Sequence, residues 1–304
     1  MTTLSRTIKA PAAVASRIMP TSVRNALIAG YDIASFKASG LPPRQLRAWI
    51  SPLWFDFRDT GRSQLEYFID VAGLQPSHRV LDIACGVGRI AIPLSTYLND
   101  EGGYEGFDIK KELIEWCQNN ISARRKNFQF RVADVATTWN PEGRSSVEDY
   151  RFPYPDSTFN LAYAGSIFTH ILPNGAKNYL QQTARVLKPG APLAATWLVY
   201  NERSMRLTST AAAVQRHWSY DCGDFRIKSK EQPEASVAHE EAAVRKMYND
   251  AGFEILEPFR ADASYNAGRI PRDRSAGMHL HYSLSILAVR RQPADEPRDV
   301  ANPD

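Results

Sequence analysis

The sequence predicts an α/β fold: a doubly wound sheet of seven mostly parallel strands, with an N-terminal helical extension and a cap inserted late in the chain. Three observations predict it. From His78 onward, short apolar runs alternate with longer stretches of helical periodicity, the pattern of strand–helix units that pair in parallel. A glycine-rich turn, Cys85-Gly86-Val87-Gly88, follows the first apolar run and opens a helical stretch. The 304 residues, 43% hydrophobic and 23% charged, suffice for one substantial core.

Each element follows in order. Residues 1–76 read as a mainly helical extension, interrupted at Pro20, at Gly40 to Pro43 and at Pro52. Ser63 to Leu74 has helical spacing at Leu65, Phe68, Ile69 and Ala72, and Gly73 marks its end. The first strand is Arg79 to Ala84, with a helix through Ile90, Ala91, Leu94 and Leu98. The second is Tyr104 to Phe107, ending at Asp108, with a helix through Leu113, Ile114, Cys117 and Ile121. The third is Phe128 to Ala133, ending at Asp134, and the fourth is Phe159 to Ala164. A helix through Tyr179, Leu180 and Val186 breaks at Lys188-Pro189-Gly190, before a fifth strand from Ala191 to Tyr200. Glu240 to Ala251 reads as a helix, Phe253 to Pro258 as the sixth strand and Tyr282 to Val289 as the seventh. The organisation is therefore a ligand-binding core over 77–200, a cap over 201–239, the rest of the core sheet over 240–291 and a disordered tail over 292–304.

The formal charge of +4 is small for this length and carries no argument for nucleic acid. Three widely spaced cysteines, Cys85, Cys117 and Cys222, fit neither a disulfide framework nor a paired zinc site, and suit a reducing cytoplasm. No run of about 18 apolar residues appears, so no spanning helix is expected. Arg6, Lys9, Arg17 and Arg24 precede the first acid, Asp32. This basic segment fits a simple helical extension, or an amphipathic element touching an anionic membrane surface. It lacks the continuous apolar stretch of a secretion signal.

Three strand tips carry the chemistry. Ligands of such sheets settle outside the C-terminal strand ends, where strand order reverses. At the first tip, Gly86 and Gly88 let backbone turn sharply and approach a ligand, the following helix offers free N–H groups, and Asp82 can balance an ammonium. At the second, Asp108 lies 20 residues after Gly88 and can accept from both hydroxyls of a ribose. At the third, Asp134 can accept from an adenine amino group, with Val135 offering an apolar or backbone contact. A glycine turn alone also fits a dinucleotide-binding protein, and any one acid can be a loop cap. All three in order suit a nucleoside-bearing sulfonium.

The chain resembles the class I S-adenosylmethionine-dependent methyltransferases from about Leu41 to Arg291. Val80-Leu81-Asp82-Ile83-Ala84-Cys85-Gly86-Val87-Gly88 matches the family's first motif, with Ala84 where glycine is commoner. Further matches are Asp108, Asp134, Phe152-Pro153-Tyr154-Pro155-Asp156-Ser157-Thr158-Phe159 and Arg185-Val186-Leu187-Lys188-Pro189-Gly190. The resemblance implies S-adenosyl-L-methionine as cofactor, held by Asp82, Ala84, Cys85, Gly86, Gly88, Arg89, Asp108, Ile109, Asp134, Val135, Ala164 and Gly165. The chain is also similar to a narrower bacterial group associated with glycans, lipids and secondary metabolites. The features are Pro42-Pro43, Trp139 to Gly143, Ser166 to His170, Pro233-Glu234 with Glu240, and Ala267-Gly268-Arg269. That group's final strand often carries a Gln-Asp pair, where Leu284-Ser285 stands here.

His170, just after the fourth strand, is the candidate catalytic base, because its ordinary pKa near 6.5 suits proton transfer from a hydroxyl at neutral pH. It equally fits a packed histidine bonded to backbone. Within the cap, Arg216, His217, Trp218, Tyr220, Asp221, Asp224 and Arg226 suit stacking and hydroxyl recognition. His217, Trp218, Tyr220 and Arg269 are the acceptor-binding candidates. Trp49, Trp54, Phe55 and Phe57 fit either a facing wall or plain core. Metal is not assigned, since neither His239-Glu240-Glu241 nor His279 with His281 completes a recognised ligand set. The resulting expectation is O-methylation of a glycan, glycolipid or hydroxylated metabolite by a cytoplasmic, membrane-peripheral or freely soluble enzyme. N- or C-methylation, a non-catalytic binding module and a nicotinamide dehydrogenase are the competing readings. The Asn/Asp-Pro-Pro-aromatic signature of amino-group DNA methyltransferases is absent after the fourth strand, where Ala164-Gly165-Ser166 stands.

Overall fold

Apolar runs bounded by polar turns become strands because only a sheet buries both of their faces at once. The structure, a computed structural model, describes residues 40–50, 56–202, 218–261 and 283–292. The chain divides into two units, Met1–Leu53 and Trp54–Asp304. In the first, a one-turn helix, α1 (Arg44–Arg47), starts directly after Pro43, whose ring presets the backbone.

In the second unit, five strands run parallel in the order β3 (Phe128–Val132), β2 (Gly103–Asp108), β1 (Arg79–Ile83), β4 (Leu161–Ala164) and β5 (Pro192–Tyr200). The antiparallel pair β9 (Phe253–Ala261) and β10 (Ser283–Arg290) extends the sheet beyond β5, with β10 between β5 and β9. Strand order reverses between β1 and β4, which places the ligand crevice at their C-terminal tips.

These are the seven strands expected, within a few residues at each end. Three more come from the segment expected as a cap: β6 (Tyr220–Asp221), β7 (Phe225–Ile227) and β8 (Val237–Glu240). They join the end of β5: among the described residues its pairing with β10 reaches Leu198, and Val199 and Tyr200 pair with His239 and Glu240 of β8. Strands this short carry too little alternation to read from sequence, and β8 crosses the expected boundary between 239 and 240.

Helices cover both faces. On one, α5 (Pro173–Val186) and α6 (Glu241–Asp250) pack Tyr179, Leu180, Val244, Met247 and Tyr248 against Leu81, Ile83, Phe107 and Trp197. On the other, α2 (Phe57–Asp70), α3 (Ala91–Tyr97) and α4 (Lys111–Cys117) cover Val80, Tyr104, Phe128, Phe130 and Tyr163. Trp197 is fully buried and stacks on Phe168 at 4.1 Å between centroids. Each such ring contributes about 1.5–3 kcal/mol by leaving water.

The helix expected from Ser63 begins at Phe57. Asp56 caps it, accepting from the backbone N–H of Arg58 at 2.9 Å and of Asp59 at 2.8 Å. Its buried stripe is Phe57, Thr60, Gly61, Gln64 and Phe68. Leu65 and Ile69, which carried the sequence reading, lie only partly buried. Among the described residues no helix is long and apolar enough to cross a membrane. His217, Arg269, His279, His281, Trp54 and Phe55, and the basic positions Arg6 to Arg24, lie outside the described residues.

Candidate functional site

The turn after β1 is shaped by three residues in the left-handed region: Ala84 at φ 60°, Gly86 at φ 55° and Gly88 at φ 74°. Ala84 takes that conformation with a Cβ, at a cost glycine would not bear. Gly88 has no room for a side chain, because a Cβ there would stand 2.9 Å from Ile121 Cδ1 and 3.2 Å from Cys117 Sγ. The turn is pinned to β2 by two hydrogen bonds, Cys85 N–H to the Phe107 carbonyl at 3.0 Å and Gly86 N–H to Asp108 Oδ2 at 2.9 Å.

Asp82 lies under this turn, 2% exposed, and accepts from the Tyr104 hydroxyl at 2.6 Å. Burial pushes its pKa up to about 7, against the pull of the Tyr104 hydrogen bond and of Arg89. Cys85 and Cys117 are both buried, each Sγ 3.8 Å from the Gly86 carbonyl oxygen, and burial raises both thiol pKa values. Their thiols fill space beneath the turn, and Cys85 Sγ lies over Gly106, where an added Cβ would stand 2.9 Å from it.

Asp108 accepts from Gly86 N–H and, through Oδ1, from Lys110 N–H at 2.9 Å. Burial raises its pKa despite these bonds. Ile109, partly buried, packs against the main core. At the third tip, Asp134 already has a partner. Arg144 donates to it from both backbone N–H, at 3.0 Å, and guanidinium, and these bonds lower its pKa. Val135 turns its side chain fully into the core, and its carbonyl accepts from Asn140 Nδ2 at 2.9 Å. The Trp139-to-Gly143 signature is explained here, since a Cβ on Gly143 would come within 2.2 Å of the Val135 carbonyl carbon.

Past β4, Ala164 is fully buried, and a Cβ on Gly165 would meet the Tyr163 hydroxyl at 2.6 Å. Ser166 follows at φ 63°, held by its N–H to Thr196 Oγ1 at 2.6 Å and by Thr169 Oγ1 to its carbonyl at 2.7 Å. A short turn of helix, Ile167–Thr169, then delivers His170. His170 Nδ1 sits 3.1 Å from the Glu234 carbonyl oxygen, and its ring meets Trp139 edge-on at 5.1 Å. A carbonyl only accepts, so Nδ1 carries the proton and Nε2 keeps its lone pair. Burial lowers the pKa of the ring, against hydrogen bonds to the backbone of Glu234 and Ala235 in the strap Pro233–Ala235.

The strap and the loop after β3 are linked. Glu234 Oε2 accepts from Thr138 N–H at 2.6 Å and Thr138 Oγ1 at 2.7 Å, and Lys110 Nζ donates to the Trp139 carbonyl at 2.8 Å. The first, second and fourth tips and the Trp139 loop are thus joined by direct contacts.

The cap residues behave differently from expectation. Trp218 is buried against Tyr200 and Ala238, and its indole N–H donates to Ser236 Oγ at 2.9 Å. That ring is core, not an open stacking platform. Arg226, also buried, donates to the Trp218 carbonyl at 3.0 Å and pairs with Asp221 at 2.5 Å. Tyr220 is exposed on the edge strand beneath Lys230. His239 points into the core beside Trp197, while Glu241 pairs with Arg245 and Asn201, so His239-Glu240-Glu241 does not converge on a metal.

Two donors were not legible as partners. Arg89 Nε and Gln64 Nε2 are buried with no hydrogen-bond partner among the described residues. Arg89 stood in the motif. Gln64 was missed, and the signal was a polar residue inside the buried stripe of α2. An orphaned cationic donor beside a buried acid fits the amino-acid end of S-adenosylmethionine, whose carboxylate needs donors and whose ammonium needs an acceptor.

Comparison with known proteins agrees. A family described as methyltransferase domain matches residues 80–190. Phosphoethanolamine N-methyltransferase 3 of Arabidopsis thaliana is 25% identical over 66% of this chain and 34% of its own length. A tRNA N(3)-cytidine methyltransferase of Gallus gallus is 25% identical over 40% of this chain and 30% of its own. The chain therefore spans about a third of the length of these curated relatives. Geranyl diphosphate C-methyltransferase from Streptomyces coelicolor A3(2), crystallised with Mg2+, geranyl diphosphate and S-adenosyl-L-homocysteine, shares the fold. Its TM-score is 0.51 at 11% identity, over 76% of this chain and 80% of that one. The core from β1 to the turn after α5 is a class I S-adenosylmethionine-dependent methyltransferase domain.

Proposed function

We propose that the protein transfers a methyl group from S-adenosylmethionine to a hydroxyl oxygen of a glycan, glycolipid or small metabolite. The observation that carries this reading is the state of His170. Its Nδ1–H is committed to the Glu234 carbonyl and its pKa is lowered by burial, so Nε2 is a free base at neutral pH. A hydroxyl is the acceptor that needs one.

S-adenosylmethionine, when bound, supplies a methyl carbon activated by positive sulfur. Arg89 holds its carboxylate and Asp82 its ammonium, while Asp108 faces the ribose and the Gly86–Gly88 turn admits the backbone approach. His170 Nε2 takes the acceptor's proton, and the resulting imidazolium keeps its Nδ1–H on the Glu234 carbonyl. Trp139 stands against the ring and keeps its orientation. Residues 201–239 act as the acceptor cap through the Glu234 strap, and Tyr220, His217 and Arg269 remain its proposed contacts. Asp134 reaches an adenine amino group only by sharing its carboxylate with Arg144.

The small net charge and the missing amino-group DNA signature support a small acceptor, while relatives named for tRNA and for 23S rRNA methylation keep a nucleic-acid acceptor among the assay's outcomes. The relative named for phosphoethanolamine N-methylation favours a second reading, transfer to an amine nitrogen. Calorimetry with S-adenosylmethionine and S-adenosylhomocysteine tests the cofactor, and absence of binding defeats the proposal. A labelled-methyl assay over pooled sugars, lipids, phenols, amines and RNA, read by mass spectrometry, then decides between oxygen and nitrogen.

A further inference from the structure

The buried stripe of α2 crosses the tips of β1 and β4. At Gly61 it lies so close to the turn that an added Cβ would stand 2.6 Å from the Arg89 carbonyl oxygen. At Phe68 it meets the ring of Tyr163 edge-on at 5.1 Å, and the Tyr163 hydroxyl in turn lies against Gly165. Gln64 falls between these contacts on the same face, one turn from Gly61 and one from Phe68. It therefore lies between the contact of α2 with the Arg89 backbone and its contact with the Tyr163 ring of β4.

Gln64 is 2% exposed, and its Nε2 has no partner among the described residues. Glutamine is a poor choice for a buried stripe unless its amide is used, because an unmet buried donor forfeits its hydrogen bonds to water. Arg89 Nε, on the turn that α2 meets at Gly61, is orphaned in the same way. Two unmet donors, one of them cationic, select an anion. Asp82, buried at the end of β1 with the Tyr104 hydroxyl donating to it, supplies the opposite charge.

We infer that Gln64 is a cofactor-positioning residue: its side-chain amide donates to the α-carboxylate of S-adenosylmethionine, next to Arg89, and fixes the amino-acid end against the β1 turn. This assignment rests on the cofactor reading above and adds a residue outside the glycine motif to it. It also explains why α2, a helix before the core strands, presents glycine and glutamine on its buried face where apolar residues would pack better.

The test is titration calorimetry of the full chain with S-adenosylhomocysteine and with its analogue lacking only the carboxylate. Gln64→Met keeps the length and removes the donor. It is expected to weaken S-adenosylhomocysteine binding by about tenfold or more while leaving the decarboxylated analogue within about twofold. Gln64→Glu keeps the size and polarity and sets like charges together. It is expected to lose more affinity at pH 8 and to recover part of it as the pH falls and the new carboxyl takes a proton. Equal binding of S-adenosylhomocysteine by wild type and both variants overturns the inference while leaving the cofactor reading intact. A wild-type protein that binds neither compound overturns both.

Discussion

Single residues of this site are held in states they would not adopt alone. Ala84 sits at φ 60°, in the left-handed region that favours glycine. An alanine there costs about 1–2 kcal/mol; glycine relieves that strain, but its freer unfolded chain offsets part of the gain. Ala84→Gly is expected to stabilise the protein by up to about 1 kcal/mol, visible as a rise of about 2–4 °C in Tm by calorimetric melting. His170 is held neutral by burial. Because the neutral ring is the active form, the rate should rise through a pH below the ordinary 6.5 and stay level above it. His170→Ala should lower kcat on a hydroxyl acceptor by about a hundredfold or more and abolish that acidic limb, and an amine acceptor should show little change. Retention of the limb in His170→Ala would assign it to another group.

At the scale of elements, the segment between β5 and α6 matters most. Its three strands extend β5 and turn Trp218 inward, so its aromatic character reflects a small core of Tyr200, Trp218 and Ala238. Trp218→Ala should therefore destabilise by about 3 kcal/mol and speed amide exchange over 220–240 before it alters cofactor binding. Trp218→Phe should cost less. A Trp218→Ala protein of full stability with weakened acceptor binding would restore the stacking role. The segment reaches the site through Glu234, whose side chain holds Thr138 and whose carbonyl holds His170.

For the whole molecule, two buried groups tilt stability against pH in opposite directions. Asp82 binds its proton more tightly folded than unfolded, with a pKa raised from 3.8 to about 7. Its contribution is complete below pH 3.8 and is lost as pH rises toward 7. His239 is fully buried, its ring nitrogens near the Phe168 and Ile171 carbonyls without a hydrogen bond of normal geometry, and its pKa falls from 6.5 to about 4. Its contribution is complete above pH 6.5 and is lost as pH falls toward 4. Asp108 and Glu105 side with Asp82, and His170 and His78 with His239. The slopes oppose each other between about pH 4 and 6.5, each worth on the order of 3–4 kcal/mol. His239→Leu removes one side, so urea denaturation should show stability rising as pH falls from 6.5 to 5, where the wild type stays nearly level. A variant profile parallel to the wild type would mean that His239 is not held neutral.

The strands, their order of appearance and the glycine turn were legible in the sequence because alternation, helical period and turn chemistry are local properties. His170 and the acids at the strand tips were legible for the same reason, since each stands at a fixed offset from a strand end. What only the tertiary structure decided is who meets whom. Asp134 is taken by Arg144, Val135 faces the core, and Trp218 packs inward. Gln64 is buried on a helix that meets, at Gly61, a turn more than twenty residues further along the chain. Such pairings depend on which helix face covers which strand tip, and that is settled by packing of the whole sheet, not by any stretch of its sequence.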